Sequence, residues 1–130
     1  MITRTAAKFI LTLRALILTG GTITAELAHD AAATAANRAN LPALTMFAAT
    51  DTAKAALTWL RIAEYNTGQA QLDALTVATY IAHAGGHHTI AAFAITWQRR
   101  TAAENNTDVP MDTQLLSLDH RTAAELANAG

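Results

Sequence analysis

The sequence contains no cysteine. That single absence removes disulfide frameworks, thiolate zinc sites and cysteine nucleophiles together. Serine occurs once, as Ser117, with no glycine elbow around it, so nucleophilic hydrolase chemistry has no starting point. No phosphate-cradling Gly-x-x-x-x-Gly-Lys-Ser/Thr pattern is present. Long apolar runs are also missing. The longest near the start, Phe9 to Leu18, holds Arg14 inside it and is about half of the ~20 residues that cross a bilayer. Arg4 and Lys8 ahead of it superficially match a secretory leader, but a core helix is the simpler expectation. Neither sign of charge dominates, with nine basic groups against ten acidic ones and a net charge of −1. Bulk charge therefore lends no support to a partner held by phosphate contacts.

What is present is apolar and helix-forming. Hydrophobic residues make up 52% and charged residues 15% of the chain, which excludes disorder for most of it. Its 130 residues suit one domain that buries a core without staples. Thirty-two alanines and twenty threonines dominate. Alanine is the best helix former and threonine a good helix cap. The same bias points to a GC-rich prokaryotic or phage coding sequence. Hydrophobic spacing follows a period near 3.6 almost throughout, with no alternating strand. The expectation is an all-α fold: a compact bundle of five or six short helices, with residues 105–112 as a loop and 113–130 as a helical tail.

The first helix spans residues 4–19. Ile2, Ala6, Phe9, Ile10, Leu13, Leu16 and Ile17 share one arc, the expected core face. Leu11 and Leu18 lie nearly opposite, so this helix is either central to the bundle or also meets a partner. Gly20-Gly21 ends it. A second helix, capped by Thr22 or Thr24, runs to about residue 39. Ala25, Ala28, Ala32, Ala35 and Ala39 recur in it at spacings of three and four, a heptad seam of small residues that lets another backbone come close. Asn40-Leu41-Pro42 then breaks the chain before a short helix to about residue 49.

A third main helix, capped by Thr50 or Asp51, ends near residues 66–68. Ala53, Ala56, Leu57, Leu60 and Ala63 form its apolar face, widened by Trp59 and Ile62, with Lys54, Arg61 and Tyr65 opposite. The next two helices, over residues 69–84 and 89–104, form an antiparallel hairpin bent at Gly85-Gly86. Ile90, Phe93, Ala94 and Trp97 follow the i, i+3, i+4, i+7 template and should fold an aromatic stripe back onto the preceding helix. The first helix should be the most buried element. The expected core is Phe9, Leu13, Leu16, Ile17, Leu60, Leu75, Ile81, Phe93 and Trp97. A last helix is expected over residues 119–128, with Thr122 and Glu125 at capping-box spacing. No clean internal repeat emerges.

Three constellations invite chemistry, and each is incomplete. His83 and His87 have the i, i+4 spacing of two ligands on one helical face, and His88 adjoins them. Gly85 and Gly86 break that helix, and no nearby carboxylate completes a site, so no metal or cofactor is expected. Glu26 and His29 have the Glu-x-x-His spacing of di-iron bundles, but that chemistry needs a second copy, and none exists. The bend at Ala82 to Gly86 has helix-turn-helix spacing, yet the helix beyond it presents Ile90, Phe93 and Ala94 where a reading head needs polar groups. No catalytic residue is assigned.

The leading functional expectation is a small cytoplasmic binding or adaptor protein, not an enzyme and not membrane-bound. It acts through protein–protein contacts, with itself as a homo-oligomer or with another protein. Leu11, Leu18, Ala25, Ala28, Ala32 and Ala35 are its candidate contact residues. The alternative is a nucleic-acid-associated regulator, or a small helical subunit of a nucleoprotein complex, using Lys54, Arg61, Arg99 and Arg100; a weaker alternative is a metal-dependent activity at the turn of His83, His87 and His88.

Overall fold

The computed structural model describes residues 4–46, 51–110 and 113–114. The fold is all-α. Its helices are α1 (Arg4–Thr19), α2 (Ala25–Ala36), α3 (Leu41–Met46), α4 (Thr52–Glu64), α5 (Gly68–Ala84) and α6 (His88–Glu104), with a 3-10 turn at Arg38–Asn40 between α2 and α3. α5 sits at the centre. It packs most extensively on α4 and α6, and also on α2 and α3, while α1 rests on α4. Consecutive helices joined by short turns run antiparallel, so α4 and α6 run in the same direction on either side of α5.

Local chemistry sets the boundaries. The Thr24 hydroxyl accepts from the Leu27 amide at 3.1 Å, and the Asp51 carboxylate accepts from the Lys54 amide at 3.0 Å. Each satisfies one of the orphan donors at a helix start. Three helices end alike. Gly20, Gly86 and Asn106 take left-handed φ angles of 70°, 74° and 52°. The amide that follows each one reaches back five residues, as Gly21 to Leu16, His87 to Ala82 and Thr107 to Ala102, which is the Schellman arrangement. The α5–α6 bend is tight for a second reason. A Cβ added at Gly85 would run into the Thr52 hydroxyl at the start of α4.

The core differs from expectation in which helix it is built around. α1 is peripheral: only Ile10, Leu13 and Ile17 are buried, and Phe9 and Leu16 are half-buried. Among the described helices its main neighbour is α4, which meets one of its faces. α5 takes the central role instead, with every residue from Leu72 to Thr79 buried. Its polar members go inside because they are satisfied there. Thr76 and Thr79 each donate to the carbonyl four residues earlier, at 2.8 Å. Asp73 accepts from Arg38 at 3.1 Å and from Gln69 at 3.0 Å.

The face that α6 turns inward is also different. It buries Ala91, Ala94, Ile95, Gln98, Thr101 and Ala102. Phe93 is exposed, and Ile90 and Trp97 are only half-buried. Small residues allow α6 to approach α5 closely, and a polar seam fixes the register. Gln98 donates to the Leu72 carbonyl and to Thr76, and Thr101 donates to Gln71. An aromatic stripe cannot fit such a close approach. On α4, Leu57 is likewise exposed, because the buried face is centred on Ala55, Ala56, Trp59 and Ile62.

α2 ends at Ala36, where Asn37 leaves the helical conformation, so Ala39 lies outside the helix. Ala28, Ala31, Ala32 and Ala35 are buried on a helix that packs against α5 and α4. The alanine seam therefore closes inside the fold. The expected helix over 119–128 lies outside the described residues, as do Ile2 and Ser117. The seam makes a direct prediction. Ala28→Leu should overpack the α2 contact and cost about 1–3 kcal/mol, whereas Ala25→Leu on the exposed side should stay within about 0.5 kcal/mol, both read from urea unfolding.

Candidate functional site

The large residues that α4 and α6 leave outside the core come together. α4 contributes Leu57, Leu60, Arg61 and Glu64, and α6 contributes Ala92, Phe93, Thr96, Trp97 and Arg100, to one groove of about 870 Å³. The groove exists because α4 and α6 each commit their opposite sides to α5 and barely touch one another. Leu57 and Phe93 are exposed by 50% and 59%. The Phe93 and Trp97 rings meet edge to face, with centroids 6.1 Å apart and planes at 71°, a favourable aromatic geometry.

The groove has a direction. Because α4 and α6 run the same way, Leu57 and Phe93 lie toward one end while Arg61, Glu64 and Arg100 gather toward the other. Two guanidiniums thus stand against one carboxylate. Among the described residues no ion pair joins any of the three, the one bridge being Arg38 to Asp73. Arg61 and Glu64 also line a small polar pocket of about 270 Å³ with Gly20 to Ile23 and Tyr65, so they form the wall between it and the groove.

The residues singled out from sequence are dispersed. Of the cationic set, Arg61 and Arg100 share the groove, whereas Lys54 donates to the Leu18 carbonyl at the end of α1 and Arg99 lies outside the groove lining. Leu11 and Leu18 are exposed on α1, by 53% and 45%. Ala25 is exposed, and Ala28, Ala32 and Ala35 are buried. Tyr65, expected beside Lys54 and Arg61, spans to the start of α2 by donating its hydroxyl to the Ile23 carbonyl.

The histidine turn is architectural. The His87 Nε2 lies 2.7 Å from the Thr52 hydroxyl and ties the turn to the start of α4. His83 is half-buried with its Nδ1 unpartnered inside the protein, and His88 is exposed on the first turn of α6. His29 lies on the other side of the bundle, within 3.1 Å of the Tyr65 carbonyl, and Glu26 is exposed. Among the described residues no group of three metal-ligating side chains lies together. The helix-turn-helix reading also meets a geometric obstacle. α5 and α6 remain in contact out to the Gln71–Thr101 hydrogen bond, while such motifs splay at about 90–120° beyond their turn.

The groove itself was missed in the sequence. Its signal was present as two lines with the same ending, Leu57 to Arg61 and Glu64 on α4 and Phe93 to Trp97 and Arg100 on α6. Each resembled a core stripe that happened to end in charge. No helix among the described residues is long and apolar enough to cross a membrane. The comparisons place no known protein beside this chain: no family model, curated protein or solved structure matches it.

A groove open to solvent should be nearly silent in stability. Phe93→Ala should change the unfolding free energy by no more than about 0.5 kcal/mol. Trp59→Ala, which removes a side chain only 1% exposed, should cost about 3–5 kcal/mol. Paired urea titrations compare the two.

Proposed function

We propose that this chain is a small non-enzymatic binding protein, an adaptor that works in the cytoplasm through protein–protein contacts. The observation that carries the reading is the α4–α6 groove, where exposed Leu57 and Phe93 and half-buried Trp97 come together. Aromatic and arginine side chains are enriched where proteins bind one another, and the groove gathers Phe93 and Trp97 with Arg61 and Arg100. The test is a photocrosslinking amino acid, p-benzoylphenylalanine, placed at Phe93 in the native host. Discrete protease-sensitive adducts are expected from that position and none from the exposed control position Ala103. An adduct lost to nuclease, or no adduct at all, overturns the reading.

Self-association is part of the same proposal, along the outer line of α1. Leu11 and Leu18 are exposed there on a helix whose other face already meets the core, which suits a two-fold contact between identical surfaces. Light scattering at high protein concentration should give a multiple of the chain mass. Leu11→Arg with Leu18→Arg should return it to the monomer with the helical circular dichroism unchanged. A strict monomer in the unmodified protein removes this part.

A nucleic-acid contact is favoured by one observation, that Arg61 and Arg100 share the groove with the paired rings of Phe93 and Trp97, the combination of single-strand stacking platforms. Gel shifts with mixed DNA and RNA should then weaken as salt rises, and no shift at low salt ends that reading.

A further inference from the structure

We propose that the α4–α6 groove receives an acidic amphipathic helix from a partner protein. The inference rests on the protein-binding reading and adds the chemistry of the partner. A trough between two helices that run the same way is shaped for a third, which can set its side-chain ridges between theirs. From Leu57 to Glu64, and from Phe93 to Arg100, the trough covers two helical turns, about 10 Å at ~1.5 Å per residue. Anchors at i, i+3 or i+4, and i+7 on a bound helix cover the same length.

Charge selects the partner further. Arg61 and Arg100 exceed Glu64 by one positive charge at one end of the trough, and guanidiniums pair well with carboxylates in two-point geometry. The bound helix therefore carries its apolar anchors along one face and carboxylates beside the anchor at one end.

Neither α1 nor α2 of a second copy meets that requirement. α1 offers Leu11 and Leu18, but its charged residues are Arg4, Lys8 and Arg14, which repel the groove's arginines. α2 offers exposed Glu26 and Asp30, but the apolar residues exposed beside them are alanines, too small to fill a trough walled by Phe93 and Trp97.

Trp97 makes the test direct, because Trp59 is buried and Trp97 is half-exposed. Acrylamide quenching of the intact chain therefore reads the groove. The probes are capped, alanine-based helical peptides of about fifteen residues, with leucines spaced i, i+3, i+7. Two versions carry glutamates beside the last or the first leucine, and two counterparts carry lysines there. At least one acidic peptide should shield Trp97 and bind about tenfold more tightly than its lysine counterpart, with the preference shrinking as salt rises. Arg61→Glu with Arg100→Glu should reverse the preference.

Equal binding of acidic and basic peptides overturns the acidic partner while leaving the crosslinking result, and so the protein-binding reading, untouched. Shielding that grows with protein concentration alone assigns the groove to a second copy. Shielding in the free chain that is lost on deleting residues 115–130 assigns it to the chain's own end. Shielding by a single-stranded oligonucleotide but by no peptide assigns it to nucleic acid. Each of these, like the failure of every peptide to shield Trp97, overturns the proposal.

Discussion

The structure depends on one helix being buried on every side. α5 can hold that position only if each of its faces is acceptable to a neighbour and each of its polar groups is satisfied. Alanines at positions 74, 78 and 82 let other backbones come close. The hydroxyls of Thr76 and Thr79 return to their own helix carbonyls, and Asp73 is paired with Arg38. A helix surrounded in this way needs no single apolar stripe. Its neighbours, in turn, must offer it small faces. That demand explains why α2 presents alanines to the core and why α6 presents Ala91, Ala94, Thr101 and Ala102.

Threonine has a broader role than capping. Thr12, Thr34, Thr45 and Thr58, besides the two in α5, donate to the carbonyl four residues earlier. A hydroxyl occupied in this way leaves a side chain that behaves as a small branched apolar group, and so can be buried at little cost. Only Thr24 caps a described helix with its side chain, while Thr67 stands at a helix start without such a bond. The composition indicated helix correctly, but the purpose of the threonines was visible only in the hydrogen bonds.

Much of the architecture was legible from the sequence: the all-α class, the limits of α1, the Asp51 cap, the Gly20 stop and the hairpin bend at Gly85-Gly86. These are local events, decided by residues within a few positions of one another. The packing was legible only in part. Helical periodicity identifies the most hydrophobic arc of a helix, and on α6 that arc, with Phe93 and Trp97, is not the arc that is buried. The choice was made by α5, whose close approach favours small residues and whose Thr76 and Gln71 receive Gln98 and Thr101. A sequence window on α6 contains neither partner. The same reasoning applies to α1, where a strong apolar face indicated a central helix, although one face is all that a peripheral helix requires.

The groove follows from this arrangement. α6 turns small residues to α5, and α4 turns the face of Ala55, Ala56, Trp59 and Ile62 inward, so Phe93 and Trp97 on one helix and Leu57 on the other lie at the edges of those contacts, and the edges on one side face each other. Leu57 and Phe93 are therefore exposed, and Trp97 is left half-buried beside them, as a consequence of close packing elsewhere; polar residues in place of the two exposed side chains would cost little stability. Large apolar groups at these positions, next to arginines that no ion pair occupies among the described residues, are the feature that packing alone does not account for. A surface with that combination is what helix-in-groove recognition requires. On the proposed reading, the apolar trough would supply the free energy of association, and the uncompensated charge at one end would select among partners and set their orientation.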